Sequence, residues 1–83
     1  MKIAIGCEHG ALDLKNALVA HLNNKGYEVA DFGTHTAASC DSPEFAAAAA
    51  KAVAEGKCEK GIVVCTSGIG ISITANKVKG IRC

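Results

Sequence analysis

The chain has no tryptophan, one tyrosine and two phenylalanines among its 83 residues. A core built around large aromatic side chains is therefore excluded. No apolar run approaches the roughly 20 residues that a membrane-crossing helix needs. The opening stretch MKIAIGC has one lysine and too short an apolar segment for a secretory signal, and it reads as a strand. The formal net charge is only +1, with basic residues neither dominant nor clustered, which argues against a nucleic-acid surface. No C-x-x-C pair occurs among Cys7, Cys40, Cys58, Cys65 and Cys83, so a structural zinc site is not expected. An odd number of widely spaced cysteines without a signal peptide points to reduced thiols in the cytoplasm. Neither a metal nor a cofactor is expected.

What is present is small and aliphatic. Apolar residues make up 49% of the chain, enough for one small domain over residues 1–83. A domain of this size buries a modest share of its unfolded surface. Alanine supplies much of that apolar count and buries little area per residue, so additional burial against a partner chain is expected.

The chain alternates strands with helices. KIAIGC (2–7) is a short apolar run. ALDLKNALVAHLNNKG (11–26) places Leu14, Ala17, Leu18, His21 and Leu22 at helical spacing, with Gly26 as the stop. YEVADFG (27–33) is a second strand with Val29 buried, followed by a loop of small polar residues. SPEFAAAAAKAVAEG is a helix: Ser42 can cap it, Pro43 suits the first turn, Glu44 complements the dipole, alanine favours the conformation and Gly56 ends it. CEKGIVVCTS is the third strand, IGISITANKV starts a helix, and GIRC reads as the opening of a fourth strand. This order predicts an α/β fold, a three-layer Rossmann-like parallel sheet with helices on both faces and right-handed crossovers. The unbroken run Ile62, Val63, Val64 predicts burial on both faces. Ending at GIRC, the sequence reads as truncated after the third strand–helix unit, the N-terminal part of a longer domain.

In open parallel sheets, ligands bind beyond the carboxyl ends of the strands, where the strand order reverses. GCEHG, DFGTHT and CTSGIG lie at such ends. In the third, Gly68 and Gly70 let the backbone turn sharply and approach a ligand. The helix that follows directs free N–H groups at the same place, where they favour anions and a thiolate. Cys65 is then a candidate base or nucleophile with the Ser67 hydroxyl beside it; it is equally readable as a small buried residue closing a strand. The loop lacks the lysine of a Walker motif, and Ile73 stands where the dinucleotide fingerprint needs glycine. His9 can bind phosphate or move a proton and Glu8 can accept from sugar hydroxyls, although both also fit an ordinary polar loop. Asp41 competes with Ser42 as a helix cap. His21 reads as a packed or partly exposed side chain, His35 as a solvated loop residue, and Lys77, Lys79 and Arg82 as a solvated basic surface.

MKIAIGCEHGALDLK, GYEVADFGTHT, CDSPEFA and GIVVCTSGIGISITANKVKGIR resemble the ribose-5-phosphate isomerase B family, which includes the galactose-6-phosphate isomerase subunits. The resemblance runs from residue 1 to 82, and C-T-S-G-I-G-I-S-x-x-A-N-K is its specific part. It implies metal-free interconversion of aldose and ketose phosphates through a cis-enediolate, with a phosphorylated sugar as partner. Family members carry either a cysteine base or a glutamate at the position of Ile71; this sequence has Cys65. The resemblance further implies proton transfer assisted by Ser67, and an anion hole from the amides of Ser67, Gly68, Ile69 and Gly70, with Thr66 in the same substrate loop. It implies phosphate contact by His9, and substrate contacts by Glu8 and Asp41. It also implies a homo-oligomer, dimer or tetramer, with sites shared between subunits. Glu8 stands for the usual aspartate and Ser42 for the usual tyrosine. The family's second half, with its histidine, asparagine and phosphate-clamping arginines, has no counterpart in these residues. The isolated chain is therefore expected to be weakly active or inactive, and the alternative is a sugar-phosphate-binding or subunit-assembly role without turnover.

Overall fold

The computed structural model describes residues 1–33 and 42–83. Its elements are β1 (Lys2–Cys7), a 3-10 turn (His9–Ala11), α1 (Leu12–Asn24), β2 (Glu28–Asp31), α2 (Ser42–Ala54), β3 (Lys60–Val64) and α3 (Ile69–Asn76). The three strands form one parallel sheet in the order β2-β1-β3, so the α/β, Rossmann-like expectation is met. No helix among the described residues is long and apolar enough to cross a membrane.

Strand order decides burial. β1 is central, and Ile3 through Cys7 are all buried. β3 lies at the edge, and its Ile62, Val63 and Val64 are only half-buried, so the expected burial on both faces is not found. Val29 on β2, the opposite edge, is likewise half-buried rather than buried. An apolar run does not distinguish a central strand from an edge strand.

Side chains alternate across a strand. Ala4 packs with Ala49, Ala52 and Cys58 in a cluster under α2. On the same face, a Cβ at Gly6 would stand 2.8 Å from the Phe45 carbonyl oxygen. The missing side chain at Gly6, together with the small side chains of α2, lets that helix lie close on the sheet. Ile3, Ile5 and Cys7 point to the other face, and α1 packs on β1 and β2.

The buried side of α1 differs from the expectation. Leu14, Ala17 and His21 are exposed, while Leu22 is buried and Leu18 and Val19 are half-buried. Lys15 is 1% exposed, its Nζ donating to Asp31 Oδ2 at 2.6 Å. Hydrophobic periodicity cannot reveal a core position occupied by a lysine whose aliphatic stem is buried and whose charge is paired. Nor does GIRC form a strand: residues 81–83 pair with no other strand. The Asn76 side chain brackets Cys83 instead, accepting from its N–H at 2.7 Å and donating to its carbonyl at 3.2 Å. Lys77, Lys79 and Arg82 are exposed, as expected for a solvated surface.

Candidate functional site

Parallel register brings two chain segments side by side. Cys7 pairs with Val64, so β1 and β3 end level with each other. The Glu8 amide continues the ladder by donating to the Val64 carbonyl at 3.1 Å. Beyond that bond Glu8 and Cys65 leave neighbouring strands together. Between them opens a cleft of about 430 Å³ lined by Glu8, Cys65, Thr66, Ser67, Gly70, Ile71 and Thr74. A smaller cavity, about 160 Å³, lies between α2, β3 and α3, is mainly aliphatic in lining, and includes none of the loop residues.

The third loop supplies the thiol. Cys65 is half-buried at the strand end. Gly68 takes the left-handed conformation, φ 78°, immediately before α3. A residue with a side chain is strained there, so glycine allows the reversal that points the helix start back at the strand end. The Gly68 amide donates to Cys65 Sγ at 2.8 Å. Ser67 Oγ lies 3.9 Å from Sγ and accepts from the Ile69 amide at 3.4 Å. The sulfur thus has an N–H donor and a hydroxyl beside it, at the positive end of a helix.

The first loop supplies the charge. Glu8 Oε1 accepts from the Thr66 amide at 3.2 Å and from the Thr66 hydroxyl at 3.0 Å. His9 Nδ1 stands 3.4 Å from Oε2. The Gly10 amide bond to the Glu8 carboxylate holds its pKa below the ordinary value; burial opposes this, and the Thr66 hydroxyl, the Thr66 amide and His9 reinforce it.

The sequence-predicted residues Glu8, His9, Cys65, Thr66, Ser67, Gly68, Ile69 and Gly70 are therefore gathered at adjacent strand ends. Asp41 lies outside the described residues, as do His35 and the other residues of 34–41. His21 is exposed on α1. Sequence reasoning passed over Ile71 and Thr74 as cleft walls and Gly10 as a spacer. The first two could have been found from spacing, since Ser67, Gly70, Ile71 and Thr74 recur at three and four residues.

A protein-family model described as Ribose/Galactose Isomerase matches residues 3–83. The chain is 49% identical over 81 residues to ribose-5-phosphate isomerase B of Escherichia coli strain K12, covering 98% of this chain and 54% of that protein. It is 45% identical over 82 residues to galactose-6-phosphate isomerase subunit LacB of Clostridium acetobutylicum, covering 99% of this chain and 47% of the relative. The structure superposes with a TM-score of 0.97 on Clostridium thermocellum ribose-5-phosphate isomerase B, at 54% identity, over 99% of this chain and 55% of that one. The chain spans about half the length of the relatives it matches.

Proposed function

The chain belongs to the ribose/galactose isomerase family, and on that footing we propose that it serves aldose–ketose isomerisation of a sugar phosphate, ribose 5-phosphate to ribulose 5-phosphate or a close relative, with Cys65 as the base. The observation that supports this best is the half-buried sulfur at the end of β3, beside the Gly68 N–H and the Ser67 hydroxyl and open to the cleft.

In this reading the Cys65 thiolate takes the C2 proton of the open-chain aldose. The C–H electrons form the C1–C2 double bond, and the carbonyl electrons move to O1, giving the cis-enediolate. The S–H proton then returns to C1. The O2 proton passes to O1 with the Ser67 hydroxyl as relay. The amides from Ser67 to Gly70 serve the developing negative oxygen, the Gly68 and Ile69 N–H groups turning to it from Cys65 Sγ and Ser67 Oγ. Thr66 borders the same site. His9 and Asp41 complete the substrate-binding set, His9 toward the phosphate. The reading includes a cytoplasmic protein that assembles with copies of itself. The exposed Leu14, Ile69 and Ile73 support association.

Deuterium transfer from heavy water into C2 of ribose 5-phosphate, read by mass spectrometry, tests the base directly. Incorporation that is lost in Cys65→Ala is expected; incorporation that survives the substitution removes Cys65 from the role. A second reading is a chain that binds a sugar phosphate without turnover, which the N–H-lined cleft at the start of α3 would also serve. Ribose 5-phosphate binding with no deuterium uptake, even in the wild type, would select it.

A further inference from the structure

Glu8 is the most heavily committed polar side chain of the cleft. An ionised carboxylate offers about four acceptor positions on its two oxygens. Thr66 takes two of them, through its amide and its hydroxyl, both at Oε1. The Gly10 amide takes another, and His9 Nδ1 faces Oε2 at 3.4 Å. Every one of these partners belongs to the protein. The side chain is also only 12% exposed, although it borders the cleft.

Space around the carboxylate is set aside for this arrangement. A Cβ at Gly10 would stand 2.5 Å from Thr66 Oγ1 and 2.6 Å from Glu8 Oε1. Any side chain at residue 10 would press on the bond between the two loops. The bond spans 58 positions of sequence and joins the segment after β1 to the residue that directly follows the thiol after β3.

We propose that Glu8 is a positioning residue that ties the β1 loop to the β3 loop, fixing Thr66 and with it the Cys65–Gly68 turn, rather than a ligand for sugar hydroxyls. Its length sets the reach. An aspartate here would draw the carboxylate back by about 1.5 Å, away from donors that already sit at 3.0 and 3.2 Å. The proposal rests on the isomerase reading only for what the tied loop does. The tie itself is open to a separate measurement. The titratable groups that face this carboxylate or share its cleft are His9 and Cys65.

The experiment is an amide-resolved NMR titration of the full chain with hydrogen exchange, on wild type, Glu8→Gln and Glu8→Asp. In wild type the Thr66 and Gly10 amide shifts are expected to move together in a single acid step, distinct from any His9 step. Glu8→Gln, nearly isosteric, should abolish that step and speed Thr66 exchange by about tenfold while β1 protection is kept. Glu8→Asp should not restore Thr66 protection. Three results would overturn the tie: no acid step at Thr66, wild-type Thr66 protection in Glu8→Gln, or loss of the step when ribose 5-phosphate is added, which would mean the sugar has claimed the carboxylate. If the step stands but ribose 5-phosphate shifts no cleft amide, the tie holds and the isomerase reading falls.

Discussion

Two carboxylates sit at the carboxyl ends of strands in this protein, half-buried Asp31 and buried Glu8, and they are handled in opposite ways. At the end of β2, Asp31 meets Lys15, whose side chain is 1% exposed, at 2.6 Å. Asp31 Oδ1 also accepts from the Gly33 amide at 2.9 Å, and the Gly33 carbonyl accepts from the Cys7 amide at 2.6 Å. That charge is cancelled internally and fastens α1, β2 and β1 together. At the end of β1, Glu8 is surrounded mainly by neutral donors, two from Thr66 and one from Gly10. Neutral donors solvate a carboxylate without cancelling it, so its negative charge persists at the rim of the cleft. The first arrangement belongs to the scaffold and the second to the site. Burial alone would not have separated them; the identity of the partners does.

The comparison can be broken from the sealed side first. Asp31→Ala leaves the Lys15 ammonium buried without its counter-charge, and a loss of about 3–5 kcal/mol is expected. Urea denaturation measures it; a loss under 1 kcal/mol would mean that the ammonium reaches water or another acceptor. On the open side Gly10→Ala is expected to cost about 1 kcal/mol, the low end of overpacking, because the atoms in its way are side-chain tips that can move. The Thr66 amide shift should change more than the thermal midpoint does.

The smallest effect is one of acidity, and it sharpens the contrast. Because Glu8 has a lowered folded-state pKa, the ionised form is favoured by folding. The stability this contributes is fully present above the unfolded value, about 4.3 for glutamate, and is lost as pH falls through the folded value. Glu8→Gln should therefore have a lower urea midpoint than wild type at neutral pH, with the gap closing as the solution is made strongly acidic. A gap that stays constant with pH would mean the charge of Glu8 is not what its donors stabilise.

Much of the fold was legible because it is written locally. The apolar run of β1 ends where expected, at Cys7, and α2 begins at Ser42. The turn at Gly68, with Cys65 ahead of it and a helix behind, could be read as a site from residue types and spacing. The tie between Glu8 and Thr66 could not, because nothing local to either residue signals a bond across the strand boundary. Lys15 was hidden for a related reason: a charged residue scores as surface until its partner is known. GIRC misled because strand character needs a neighbour to pair with, and here Ile81 donates to the Val78 carbonyl while Cys83 bonds to the Asn76 side chain.

The sequence by itself determined the order of strands and helices and the thiol-bearing glycine loop, since periodicity, caps and turn residues act over a few neighbouring positions. Which strand is central, which side of α1 is buried and which groups surround Glu8 were decided only by the tertiary structure. These depend on parallel pairing between distant segments, and such pairing brings together side chains that no local pattern relates.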